Sequence, residues 1–292
     1  MNTCSPSSMT FNMPGTIGGA KIIFTNQDKM EKIGIVGLGF VGGAIKEAMD
    51  LSNKVGLVLV DPQKGYNNTI NDLQDCSGIF ICVPSPQDDD GSCDTRIMES
   101  VLAQLKVINY SGVIISKCTA PPDVYEQLNQ DFPNLIHAPE FLTAANANMD
   151  YRNGIFSIIG GRVNAYLKEA ERIIRIGQQN LKELQYCSIG EASLAKYTIN
   201  CFMSTKVIFM NEMYKLATTM GLDYDTVANM VKMDPRFGTS HMQVPGPDGS
   251  FGFGGACFPK DTSALLKIAE EQNVDMSILN AAVRKNTLLR LT

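Results

Sequence analysis

The feature that most limits what this chain can become is a glycine triplet in a fixed setting. Gly37, Gly39 and Gly42 form GxGxxG. The apolar run KIGIVG (32–37) leads into them, and GFVGGAIKEAMDLS reads as a helix that opens on them. Asp61 then closes the next apolar run, VGLVLVD (55–61). In a strand–turn–helix–strand unit of this kind the first glycine permits a tight turn. The second lets the backbone approach a pyrophosphate at the helix N-terminus, and the third lets helix pack on strand. Phe40 and Val41 lie inside the same turn. Asp61 is placed to accept from a ribose 2′-hydroxyl, which favours NAD over NADP. The plainer alternative is a glycine-rich turn with no ligand, with Asp61 a turn residue ahead of Pro62.

The alternation continues downstream. GIFICVPSP (78–86), GVIISKCT (112–119), LIHAPEF (135–141) and GIFSIIGG (154–161) read as strands, with LKELQYCS (181–188) as one last strand. TRIMESVLAQLKVI and NAYLKEAERIIRIGQQ read as helices between them. Continuously apolar strands alternating with helices predict an α/β fold, a Rossmann-type doubly wound parallel sheet covered on both faces. Strand ends at ICVPSP and SKCTAP belong at the carboxyl edge of that sheet, where ligands bind. Ser85 and Thr119 are therefore candidate cofactor contacts, with turn chemistry as the alternative.

From 190 the text turns helical. Residues 190–221 read as one long helix ended by Gly221, and DYDTVANMVKM as a shorter one. A loop rich in glycine and proline spans 234–261, and a single helix is expected from about 262 into the last residues. A loop of that length without its own secondary structure is usually functional. The expected organisation is an N-terminal extension over 1–29, an NAD-binding domain over 30–189 and an all-helical central domain over 190–292. The first 29 residues are polar and turn-rich and lack a secretory pattern. The competing reading is that IGGAKIIF, ending at Phe24, adds an edge strand.

Composition narrows the partners. Hydrophobic residues make up 44% of the 292 and charged residues 19%, with net charge −5 and no basic run. That argues against nucleic acid or an anionic membrane as the main partner, and no apolar stretch reaches the roughly 18 residues of a membrane span. Eight scattered cysteines and two histidines offer no metal-ligand spacing, so no metal is expected. The thiols read as reduced and the protein as cytoplasmic.

Three further positions carry chemistry. Lys196 and Asn200 are four apart on the long helix and share a stripe with Ile199, Met203 and Val207. A lysine on an apolar stripe is costly unless paired or used, and burial would lower its pKa; a snorkelling lysine beside a core asparagine is the alternative. Cys257 follows GFGGA just before an expected helix start, with Lys260 nearby, and such a thiol should have a lowered pKa and act as a nucleophile. Its alternative is a small buried hydrophobe. Asp261 would cap that helix, act as a base, or both. Glu140, after an apolar strand, would serve as a general base on water, or merely as a surface or helix-start charge.

Together these residues resemble the UDP-glucose/GDP-mannose dehydrogenase family. The motifs are GLGFVG (37–42), SKCTAP (116–121), APEFL (138–142), Lys196-x3-Asn200, DPRFG (234–238) and GFGGACFPKD (252–261), in family order from about 32 to the end. The resemblance implies NAD-dependent four-electron oxidation of a sugar-nucleotide primary alcohol, UDP-glucose first among candidates. Cys257 would form a thiohemiacetal and then a thioester. Lys196 and Asn200 would stabilise oxyanions with a water held by Asp261, and Glu140 would activate the hydrolytic water. Thr119 and Lys260 would contact the cofactor region. Phe141, Leu142, Phe251, Gly252, Phe253 and Gly254 would contact substrate, and Arg236 would reach the neighbouring subunit's substrate in a homodimer built on the long helix. The chain departs at Ala144, where the family commonly has a second glutamate. It also stops at Thr292, where family members continue into a nucleotide-binding domain, so the expectation is either a fragment or natural short form, or a separate polypeptide that supplies that part. Two other readings compete. One is a two-electron hydroxyacid dehydrogenase, which needs no cysteine nucleophile. The other is an NAD-binding subunit that does not hold a sugar nucleotide.

Overall fold

The computed structural model describes residues 30–143 and 146–291. The extension expected over 1–29, Ala144 and Thr292 lie outside the described residues. Strands β1 (Lys32–Val36), β2 (Gly56–Asp61), β3 (Tyr66–Asn67), β4 (Gly78–Ile81), β5 (Val113–Ser116), β6 (Leu135–His137), β7 (Phe156–Gly160) and β8 (Glu183–Cys187) form one sheet in the order β3-β2-β1-β4-β5-β6-β7-β8. Pairings β2-β1-β4-β5-β6 are all parallel. Helices α1 (Phe40–Ser52) and α5 (Asn164–Gly177) cover one face, meeting Ile33, Ile35, Phe80 and Ile115 in a shared core. Helices α2 (Arg96–Val107) and α3 (Pro122–Asp131) cover the other, over Ile79, Ile81, Ile114 and Leu135. This is the doubly wound arrangement, and its apolar strands are continuous because both faces are buried.

The sheet is not wholly parallel, which corrects the sequence expectation. β3 pairs antiparallel to β2, and β7 antiparallel to β6 through His137 and Gly160. The link from β6 to β7 holds only the six-residue α4 (Ala147–Arg152), which packs on α1, so the chain re-enters the sheet from the edge it left. β8 then runs parallel to β7.

That reversal sets up the second half of the molecule. α6 (Ile189–Thr219) starts after β8 with Ser188 and Glu191 forming a reciprocal capping box. It climbs past α3, where Gly190 N–H donates to Glu126 at 3.0 Å and Ser193 donates to the Ala120 carbonyl at 2.6 Å. Gly160 permits this, since a Cβ there would lie 2.6 Å from Ala192 Cβ. α6 thus emerges beside the carboxyl edge and carries α7 (Tyr224–Val231), α8 (Phe258–Glu271) and α9 (Ser277–Arg290). The helix expected from about 262 is two helices, and the first begins four residues earlier. Asn273, with φ +56, makes the break between them. Among the described residues no helix is long and apolar enough to cross a membrane.

Candidate active site

The glycine turn has the shape a dinucleotide needs. Gly37 has φ +85, and a Cβ there would lie 2.7 Å from the Cys82 carbonyl oxygen. A Cβ on Gly42 would lie 1.9 Å from the Gly37 oxygen, so only glycine lets α1 sit on β1. Gly39 differs: nothing lies within 4 Å of its Cβ position, which faces open space at the helix start. A cleft of about 530 Å³ opens there, lined by Gly39, the exposed Phe40, Gly43 and Lys64. Val41 instead packs against the apolar core. Asp61 ends β2 and accepts from Leu38 N–H at 2.7 Å through Oδ2, while Lys64 Nζ donates to the Leu38 carbonyl at 2.7 Å. The uncapped helix start, the open glycine and the anchored carboxylate fit a dinucleotide.

Farther along the same edge, Ser85 is buried and the Cys93 thiol donates to the Thr119 carbonyl at 3.2 Å, tying together the loops after β4 and β5. After β6 the chain presents Glu140. Its Oε2 accepts from Leu142 N–H at 2.8 Å, and its Oε1 meets Lys196 Nζ at 3.0 Å. Lys196 also donates to the Glu140 carbonyl and lies over the Phe141 ring at 5.2 Å. The buried lysine of the apolar stripe is therefore paired, which explains how it is tolerated.

One turn along, Asn200 Nδ2 donates to Asp261 Oδ2 at 2.6 Å, and Lys260 Nζ contacts Asp261 Oδ1 at 2.5 Å. Asp261 is 1% exposed and lies inside α8, so it is a linchpin between two helices and not a cap. Cys257 is the N-cap residue of α8 and is exposed. Its thiol pKa is raised, which corrects the sequence expectation. Partial burial of the thiol disfavours the thiolate, and Glu140 adds a negative charge; Lys196 and Lys260 pull the other way without prevailing. Asp261 N–H donates to the Cys257 carbonyl at 2.9 Å, and Glu140, Lys196 and Lys260 lie near enough to act on the thiol through their charge.

The loop before Cys257 is held by residues that motif reading missed. Phe253 N–H donates to Asn286 Oδ1 at 2.7 Å, and its carbonyl accepts from Asn286 Nδ2 and Arg290 Nε, both at 3.0 Å. Gly252 N–H donates to Asn211 Oδ1 at 3.0 Å. Gly252 has φ +74, and a Cβ would lie 2.3 Å from Asn286 Oδ1; Gly254 sits equally close to Arg290. The i, i+4 spacing of Asn286 and Arg290 matches that of Lys196 and Asn200 and was the available signal. Phe253 is buried against Ile208 and Ala282, and Phe251 packs on Tyr214, so both rings serve as packing. Arg236 stands apart: it is highly exposed and, among the described residues, bound only to Asp234, at 2.6 Å.

Comparison with known proteins agrees with this geometry. The model of the UDP-glucose/GDP-mannose dehydrogenase family, NAD binding domain, matches residues 63–177, and that of the family's central domain matches 190–288. UDP-glucose 6-dehydrogenase of Rickettsia felis is 32% identical over 233 residues, 76% of this chain and 49% of that protein. The enzyme of the same name from Pseudomonas aeruginosa is 30% identical over 238 residues, 73% of this chain and 49% of that protein. The chain thus spans about half the length of the curated relatives it matches. Among solved structures, a UDP-glucose dehydrogenase from Pyrobaculum islandicum has a TM-score of 0.75 at 22% identity, covering 94% of this chain and 70% of that one. The Mycobacterium tuberculosis 3-hydroxyisobutyrate dehydrogenase shares the fold, with a TM-score of 0.68 at 14% identity over 87% of this chain and 92% of that one. The matched NAD binding domain identifies NAD as the cofactor. Two consecutive domain matches make this chain a member of the UDP-glucose/GDP-mannose dehydrogenase family.

Proposed function

We propose that the chain oxidises the primary alcohol of a sugar nucleotide, UDP-glucose first, to the carboxylate through an acyl link to Cys257. The observation that carries this reading is the convergence of Cys257, at the start of α8, with Lys196, Glu140, Lys260 and Asp261. The curated relatives named UDP-glucose 6-dehydrogenase support the substrate class. Gly37, Gly39, Gly42 and Asp61 would hold the NAD, with Ser85 and Thr119 farther along the edge. NAD, when bound, takes up the electron pairs that the alcohol carbon gives up.

The chain's own residues supply the rest. Cys257 Sγ adds to the aldehyde carbon, and the oxygen that gains charge is met by the Lys196 ammonium and the Asn200 amide. Asp261 fixes that amide by accepting from it. In the closing step Glu140 takes a proton from water, the water oxygen bonds the acyl carbon, and the carbon–sulfur bond breaks to return the thiolate. Leu142 N–H and Lys196 hold the Glu140 carboxylate in place for this.

A dimer fits the surface of α6. Leu194, Phe202, Phe209 and Leu216 are about half exposed and recur every seven or eight residues, giving one apolar stripe along the helix. Arg236, highly exposed, is free to reach outward in such a dimer. We divide the chain functionally between residues 189 and 190, with NAD held before that point and the cysteine carried after it.

The test is the NADH formed per sugar nucleotide consumed by the purified chain, with UDP-glucose and with GDP-mannose. Two NADH per sugar is the expected result. One NADH would overturn the acyl route. None, from a chain that still binds NAD, would show that turnover needs more than this chain supplies.

A further inference from the structure

We propose that the cavity behind Glu140 is a binding site for a small aromatic carboxylate, anchored by Lys117. The cavity has about 370 Å³ and opens between the loop after β6, helix α4 and the start of β7. A volume of this order holds a small organic ligand.

The floor is unusual. Ser116 points to the α3 side, where its hydroxyl meets that of Tyr125 at 2.7 Å, so the next residue points to the opposite face. There Lys117 is 6% exposed, with its Nζ 5.9 Å from the centre of the Tyr151 ring. Among the described residues its ammonium makes no hydrogen bond and no ion pair. Behind the cavity wall, Tyr151 Oη and Gln178 Oε1 are closed off and have no hydrogen-bond partner among the described residues, so the packing here is not fully satisfied. Tyr151 is 1% exposed and Gln178 7%. A buried cation without an ion-pair partner beside an open cavity is costly unless something fills it.

The partners define the ligand. The ammonium is a donor suited to a carboxylate. Phe141 and Phe156, with ring centres 5.2 Å apart, form an apolar wall that suits a flat ring. The nearby acids do not compete for the cation: Glu140 is paired with Lys196, and Asp150 accepts from Thr143 N–H at 2.8 Å and from its hydroxyl at 2.5 Å. Because Phe141 also underlies Lys196, an occupant would bear on the reactive cluster. That consequence rests on the function proposed above; the binding does not.

The test uses the full chain without NAD or sugar nucleotide. Titration calorimetry would be run with 4-hydroxybenzoate, its neutral isostere 4-hydroxybenzamide, and orthophosphate. Saturable 4-hydroxybenzoate binding is expected, weakened about tenfold or more in Lys117→Met and in the amide. Phe156→Ala, at an exposed rim position, should also weaken it and serves if Lys117→Met fails to fold. Absence of saturable 4-hydroxybenzoate binding would overturn the proposal. So would equal affinity for the amide or for orthophosphate, which would mean that water or any small solute fills the cavity.

Discussion

Replacing Asp261 with alanine removes the acceptor that joins α6 to α8. In the structure Asp261 is 1% exposed, receives Asn200 Nδ2 at 2.6 Å and contacts Lys260 Nζ at 2.5 Å. A hydrogen bond to a charged group contributes about 1.5–3 kcal/mol. Deleting one member of a buried ion pair costs about 3–5 kcal/mol, and the lower end applies because the Lys260 side chain keeps 19% exposure. The two effects share one carboxylate, so they do not simply add, and roughly 3–4 kcal/mol is expected for the pair. At about 2–4 °C per kcal/mol for a chain of this size, Asp261→Ala should lower Tm by roughly 6–16 °C. Asp261→Asn keeps the shape and an acceptor for Asn200 while losing the charge, so it should fall by about half as much. Thermal unfolding by circular dichroism reads both, and NAD binding serves as a check that the sheet edge survives. An alanine variant within about 1 kcal/mol of wild type would refute the linchpin role of Asp261.

Three other outcomes follow from the same structure. With its pKa raised above the ordinary 9.0, Cys257 should react with iodoacetamide at a rate that keeps rising past pH 9, with the midpoint moved down in Glu140→Gln and up in Lys196→Met; peptide mapping reads the site, and a midpoint below 9.0 would contradict this. Burial pushes Lys117 down to about 8 from 10.5, so the folded state sheds this proton first and its destabilisation is full below pH 8 and gone by about 10.5. Lys117→Met should therefore be more stable at pH 7 by up to about 3 kcal/mol, an advantage that shrinks between pH 8 and 10.5 in urea titrations; a difference independent of pH would contradict it. Gly39→Ala has room for its Cβ at φ −67 and should keep its Tm while weakening NAD binding about tenfold or more, whereas Gly42→Ala, 1.9 Å from the Gly37 oxygen, should lose both; equal Tm values for the two would contradict the crowding.

Much of this was legible because hydrophobic runs and glycine spacing are local signals. The seven strands expected between 32 and 188 all form, and the long helix spans Ile189–Thr219. What escaped depends on tertiary contacts. The two-residue β3 carries no periodicity, and the reversal of β7 depends on where α4 docks. The break between α8 and α9 is marked only by Asn273 in EQNVD, a left-handed position hidden in a helical run. The pairing of Lys196 with Glu140 was not readable, because 56 residues separate them and only the climb of α6 past β7 joins them. The thiol pKa ran against expectation because a helix start and a neighbouring lysine are visible in sequence, whereas partial burial and the Glu140 charge are not. Lys117 read as part of a strand-end motif, and nothing nearby in sequence announces that its ammonium is buried beneath Tyr151.

The most direct test of the central claim is mass spectrometry of the Glu140→Gln chain after incubation with NAD and UDP-glucose. This variant lacks the base for the closing hydrolysis but keeps Cys257, so the acyl species should accumulate. The account predicts a covalent sugar-nucleotide adduct that maps to Cys257 and is absent from Cys257→Ser. An adduct on another residue, or acid formed by Cys257→Ser at the wild-type rate, would contradict it.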